Sequence, residues 1–172
     1  MTTIDDFVAE CRSAASDAQP VLAVKEAVER TISRGLDGPS DKPGVRVLSC
    51  DKDLTVLQVV IPGGLPKSLP HDHRMWAVIG LVEGQEANEF FRRSGATLEG
   101  SGGRVVETGE VLALGSETIH RIQNPQTHGS TRALHVYGGD LLTAVRSMWT
   151  KPGWTEEPYD EARVTGATFI RE

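Results

Sequence analysis

The sequence predicts an all-β domain, an antiparallel sandwich or barrel, preceded by a helical arm. Three observations carry this expectation. Apolar residues recur at helical spacing only as far as Gly35. From Val45 they fall instead into short runs rich in β-branched residues. Gly, Pro, Asp and Asn clusters separate those runs at a spacing of roughly 8–12 residues, the rhythm of sandwiches and barrels rather than of strand–helix–strand units.

In the arm, Ile4, Phe7, Val8 and Cys11 share one helical face. Val21, Val24, Ala27, Val28 and Ile32 do so again after a break at Pro20. Asp5 or Asp6 is expected to cap the first helix and Gly35 to stop the second. Residues 35–44 hold three Gly and two Pro and read as a linker. Strands are then expected at Val45–Cys50, Thr55–Ile61, Ala77–Val82, Glu86–Arg92, Arg104–Glu107, Val111–Ala113, His120–Gln123 and Ala133–Tyr137. The tail after Trp149 carries Pro152-Gly153 and Glu156-Glu157-Pro158 and is expected to be irregular, packed if at all by Trp154 and Tyr159. The expected division is therefore arm and linker over 1–43, barrel over 44–147 and tail over 148–172.

The whole chain narrows the possible functions. Its 172 residues make one domain able to bury a core. A formal charge of −6 argues against a nucleic-acid partner, which needs a basic face. No apolar run approaches the length of a membrane span. The acidic start, Met1-Thr2-Thr3-Ile4-Asp5-Asp6, lacks the apolar stretch of a secretory signal. Cys11 and Cys50 are too few and too far apart for a disulfide framework, so reduced thiols and a cytoplasmic protein are expected.

His71, Asp72 and His73, followed by His120, carry the chemistry. On a strand, His-x-His puts both imidazoles on one face, with Cα atoms about 7 Å apart. A third His from a neighbouring strand completes a set of three nitrogen donors and leaves coordination positions open, as a catalytic metal requires. Asp72 points away by alternation and is not counted as a ligand. His128 lies in a loop, and Glu83 and Glu86 lie in an acidic turn; all three are expected to be solvated.

Two stretches resemble the cupin family. His71-Asp72-His73, with Ala77 where cupins usually carry Glu and Gly84 closing the stretch, matches the first cupin motif. Gly109, His120 and Asn124 match the second, whereas Gly115 and Glu117 depart from its usual Pro and Gly. The resemblance implies a cupin jelly-roll (double-stranded β-helix) barrel. A triad of His with no motif carboxylate, together with Pro70, Trp76, Val78-Ile79-Gly80 and His135-Val136-Tyr137-Gly138, is similar to the thiol dioxygenases, the cysteine and 3-mercaptopropionate dioxygenase group. It implies an Fe(II)-dependent oxidoreductase that uses O2 to convert a small thiol to a sulfinic acid. His71, His73 and His120 would be its metal ligands and His135 and Tyr137 its catalytic pair. Ala133 stands where that group has Ser, which shortens the expected hydrogen-bond relay, and no Cys is placed to crosslink to Tyr137.

Three neutral imidazoles leave a metal its full positive charge and room for an anionic thiolate, and Fe(II) suits both ligand types. The same spacing also suits zinc. A substrate carboxylate calls for Arg, whose planar fork meets it with two bonds. The resemblance implies Arg146, nine residues after Tyr137, as the first candidate; Arg74, directly after His73, is the second, with Trp76 as a pocket wall. Each has a plainer reading: His135 and Tyr137 as a satisfied core pair, Arg146 as a surface ion pair, Trp76 as core. The competing functions are a metal-dependent cupin isomerase or hydrolase and a cupin that only binds a small ligand.

Overall fold

A computed structural model describes residues 1–165 and the backbone of a short strand at Phe169–Arg171. Two helices, α1 (Ile4–Ala15) and α2 (Pro20–Arg34), precede twelve strands. These are β1 (Gly44–Cys50), β2 (Thr55–Pro62), β3 (His71–Asp72), β4 (Ala77–Glu83), β5 (Gln85–Ser94), β6 (Thr97–Glu107), β7 (Val111–Leu114), β8 (Ile119–Gln123), β9 (Ser130–Tyr137), β10 (Ser147–Thr150), β11 (Thr155–Pro158) and β12 (Phe169–Arg171). A short helix, α3 (Glu161–Thr165), lies between the last two.

The strands form two six-stranded sheets. One runs β12-β1-β2-β9-β4-β7, the other β11-β10-β3-β8-β5-β6. The central quartets, 2-9-4-7 and 3-8-5-6, take nested antiparallel pairs from the chain. That nesting is the double-stranded β-helix of the cupin fold, as the sequence predicts.

Strand alternation decides what each sheet buries. On β4, Ala77, Ile79 and Leu81 face the barrel interior, joined there by Leu57 and Val59 of β2 and Ala133 and Tyr137 of β9. The alternate residues Val56, Val78, Leu134 and Val136 meet Phe7, Cys11, Val24 and Val28 of the arm. The first sheet is thus covered on both faces, and for that reason β4 reads as an unbroken apolar run. Gly80 sits where α2 crosses β4; a Cβ there would lie 2.3 Å from Val28 Cγ1 and 2.7 Å from Ile32 Cδ1. Gly84 turns β4 into β5 at φ 83°, and the backbone of Ser130 and Thr131 approaches so closely that a Cβ would meet the Ser130 carbonyl at 3.0 Å. Asn124, the last residue of the second motif, ties β8 to β2 by donating to the Ile61 carbonyl and accepting from the Gln126 N–H.

Three expectations need correction. The first helix is capped by Thr3, whose hydroxyl accepts from the Asp6 N–H, and not by Asp5 or Asp6. β5 and β6 extend well past the expected Arg92 and back to Thr97, because a hairpin ladder holds residues whose polar side chains face water. The tail is not irregular. β10 pairs with both β3 and β11, and β12 runs parallel to β1, so the tail extends both sheets. Pro152 and Gly153 fall in the turn between β10 and β11, where no ladder bond is lost, and Pro158 ends β11 opposite Ser147.

Replacing Gly80 with Val overpacks the seam between arm and barrel. The expected loss is about 1–3 kcal/mol of stability, read as a lower denaturation midpoint with the β-rich circular dichroism spectrum retained.

Candidate metal centre

The second sheet builds the centre. His71 on β3 lies directly opposite His120 on β8, and His73 follows two residues on, beyond the end of β3. All three are buried, and their ligand nitrogens lie within 4.8 Å of one another. The Nε2 atoms of His73 and His120 are 3.3 Å apart. The far sides of two rings are anchored. His71 Nδ1–H donates to the Leu69 carbonyl at 2.9 Å, which can only accept. His120 Nδ1–H donates to Asn88 Oδ1 at 2.8 Å. With protons held at Nδ1, the Nε2 lone pairs of His71 and His120 converge on one point inside the barrel. Like-signed lone pairs meeting in a buried space call for a cation, so the donor set fits a metal such as Fe(II) or Zn(II).

Burial also keeps the set neutral. Desolvation, aided by the Arg146 charge, pushes His71 down to about 4. His73 and His120 lie well below the usual histidine range, first through burial and then through the other histidines around them. Ala77, at the position where the motif usually carries Glu, is fully buried in the apolar cluster, and no carboxylate joins the three histidines among the described residues. Asp72 points away as expected: its Oδ1 accepts from the Ser147 N–H at 2.8 Å, and Arg74 pairs with its Oδ2 at 2.8 Å.

The other expected site residues divide. Tyr137 lies against the centre, its ring 4.9 Å from that of His73, and its hydroxyl bonds His135 Nδ1 at 3.0 Å. Burial raises the Tyr137 phenol above its usual range, so it stays protonated. Arg146 is buried at the same end, its charge felt by His71, His73 and Tyr137. Its guanidinium rests 3.4 Å over the Tyr159 ring, which in turn lies 5.9 Å from the His71 ring. Arg146, Leu141, Tyr159 and Glu161 border a cleft of about 370 Å³. Arg74 and Trp76 are not brought to the centre. Arg74 takes a left-handed turn, φ 59°, and pairs with Asp72. Trp76 packs against the arm-side cluster and over Gly138. The left-handed turn swings Arg74 back to Asp72, and Trp76, just before β4, is taken up by the arm-side packing.

Sequence reasoning missed Glu86, Asn88, Tyr159 and Glu161. Glu86, expected to be solvated, is fully buried. It accepts from Asn88 Nδ2 at 3.0 Å, and its other oxygen lies 3.6 Å from His135 Nε2. Behind Tyr137, the group that faces His135 is thus Glu86 of β5, while Ala133 of β9 carries no hydroxyl. Glu86, Asn88 and Phe90 share one strand face, but the residues between them include Glu89, so no polar–apolar alternation marked that face as interior. Glu161 is raised to about 7, first by burial, with Arg146 opposing.

No family model matches the chain. Solved structures of similar fold include an RmlC-like cupin family protein from Methanocaldococcus jannaschii, 14% identical over 62% of this chain and 89% of that one, with TM-score 0.48. Another is a mutant of Bacillus subtilis oxalate decarboxylase, 14% identical over 59% of this chain and 27% of that one, TM-score 0.47. A third is hydroquinone 1,2-dioxygenase from Sphingomonas sp. TTNP3, 12% identical over 58% and 67%, TM-score 0.45. These are likenesses of fold. The class of protein is set by the chain's own topology and its buried histidines: a cupin-type jelly roll with a candidate three-His metal centre.

The depressed histidines fix a pH dependence of the metal-free protein. Their folded pKa values lie below those of the unfolded chain, so the unfolded state binds more protons as pH falls through 6.5. Stability should be full above that pH and decline toward pH 4, at up to about 1.4 kcal/mol per unit for each histidine. Urea midpoints measured at several pH values test this, and a midpoint unchanged from pH 7 to 4.5 would contradict it.

Proposed function

We propose that the protein is a non-haem Fe(II) dioxygenase that oxidises a small carboxylate-bearing thiol, 3-mercaptopropionate- or cysteine-like, to a sulfinic acid with O2. The observation that carries the reading is a neutral three-His set that no carboxylate joins among the described residues, bordered by a buried Tyr and a buried Arg. His71, His73 and His120 would hold the iron. Bound there with its full charge, iron would supply an acidic site for a thiolate and for O2.

The chain's own groups do the rest. Arg146 offers a fixed cation to the substrate carboxylate, offsetting the cost of burying it. Its stacking on Tyr159 holds the guanidinium in place. Glu161, raised to about 7, is not a full counter-charge near neutral pH, so Arg146 remains attractive to an anion. Tyr137 keeps its proton and lays its ring beside His73, where the hydroxyl can bond substrate or oxygen. The apolar wall of Leu57, Ile79 and Leu81 excludes water from that space.

Fe(II)-loaded protein should consume O2 when 3-mercaptopropionate or cysteine is added. Cysteamine, without a carboxylate, should be a poor substrate. Arg146→Lys keeps the charge but loses the fork; charge-assisted hydrogen bonds of about 1.5–3 kcal/mol translate to a loss of roughly tenfold to a hundredfold in kcat/KM. A preference for cysteamine would contradict the role of Arg146. Stoichiometric zinc in the purified protein, with no thiol-dependent O2 uptake after iron loading, would favour the hydrolase or isomerase reading instead.

A further inference from the structure

We propose that Glu86 is a positioning residue that sets the hydrogen-bond polarity of a buried chain running from His120 to Tyr137, and so decides which way the Tyr137 hydroxyl points. Its relevance to catalysis rests on the functional reading above; the polarity itself does not.

The chain consists of three hydrogen bonds and one gap. His120 Nδ1 meets Asn88 Oδ1 at 2.8 Å, Asn88 Nδ2 meets Glu86 Oε1 at 3.0 Å, and His135 Nδ1 meets the Tyr137 hydroxyl at 3.0 Å. The one open link is between Glu86 Oε2 and His135 Nε2, 3.6 Å apart. Both atoms are buried without another hydrogen-bond partner among the described residues. Each faces the other across that gap, and a buried polar atom left unsatisfied is destabilising, so a small closure joins them.

Donor and acceptor inventory then fixes every direction. A lone pair of His120 Nε2 faces the centre, so the ring proton is at Nδ1 and Asn88 must turn its oxygen there. The Asn88 amide nitrogen therefore faces Glu86, which must accept. A carboxylate that accepts at Oε1 is free to accept at Oε2 as well, so His135 carries its proton at Nε2. His135 Nδ1 is then an acceptor, and the Tyr137 hydroxyl donates to it. The phenol oxygen turns its lone pairs toward the site and can accept from a hydrogen-bond donor on the substrate. The imidazole ligand and the phenol are thus both oriented by one buried carboxylate, fully enclosed between β5 and β9.

Glu86→Gln is nearly isosteric but inverts the polarity. Asn88 still presents its amide N–H groups, so the Gln carbonyl takes the Oε1 position and its NH2 faces His135 Nε2. That nitrogen must then accept, the ring proton moves to Nδ1, and the Tyr137 hydroxyl is turned away from His135. Long-range 15N–1H correlation spectra of the imidazoles, recorded at pH 8 on metal-free and Zn(II)-loaded protein, read this directly, with His135→Gln identifying the resonance. The expected result is the Nε2–H tautomer of His135 in the wild type and Nδ1–H in Glu86→Gln. Asn88→Ala should leave the His135 tautomer unchanged while weakening Zn(II) binding by about 10–100-fold, the usual effect of losing a hydrogen bond to a metal-binding His. A wild-type His135 protonated at Nδ1, or a Glu86→Gln spectrum with the tautomer unchanged, overturns the proposal. If Glu86→Gln does not fold, the wild-type spectrum alone decides. An Nε2–H tautomer in a protein with no thiol-dependent O2 uptake would sink the functional reading and leave this inference standing.

Discussion

Imidazole lone pairs converge inside the barrel while their protons are held on the outer side, and the rest of the site depends on that arrangement. It needs β3 and β8 in register, so that His71 and His120 face one another. It needs acceptors behind the rings, which Leu69 and Asn88 supply. It also needs a dry surrounding, without which the histidines would take up protons near neutral pH and repel a cation. Burial provides this at a cost in stability that grows as the solution becomes more acidic.

The barrel interior is divided to serve this arrangement. Along β2, β4 and β9 it is an apolar cluster running from Leu57 to Leu81. Along β5 and β8 it is polar, with Glu86, Asn88 and His120 buried in series. Tyr137 lies on the boundary, packed in the apolar cluster while its hydroxyl joins the polar chain. The tail closes the end: Arg146 lies just before β10, which pairs with β3, and Tyr159, just past β11, lies under the Arg146 guanidinium and edge-on to His71.

Much of this was legible in the sequence, for physical reasons. Period-two alternation is rigid, so His71 and His73 had to share a face and Asp72 had to oppose them. The change of period at Gly35 marked the boundary between arm and barrel, because helix and strand bury different residue spacings. What remained hidden was set by long-range contact. Glu86 looks like any solvated carboxylate until β9 brings His135 beside it. Arg74 and Trp76 were drawn to the site by nearness in sequence to His73, whereas the positive φ at Arg74 and the arm packing of Trp76 turn them away. The tail carried Pro152, Gly153 and Pro158, which signalled irregularity; the first two lie in a hairpin turn and the third ends β11, and only the pairing of β10 with β3 and β11 reveals the strands.

The central claim is that three histidines alone hold one metal ion and leave it open to a thiolate. X-ray absorption at the iron edge of Fe(II)-loaded protein, with and without 3-mercaptopropionate, tests this most directly. The account predicts a light-atom shell with the multiple scattering of three imidazoles, and a sulfur scatterer that appears on adding the thiol. A shell with fewer imidazoles, or one in which the thiol introduces no sulfur, would contradict it.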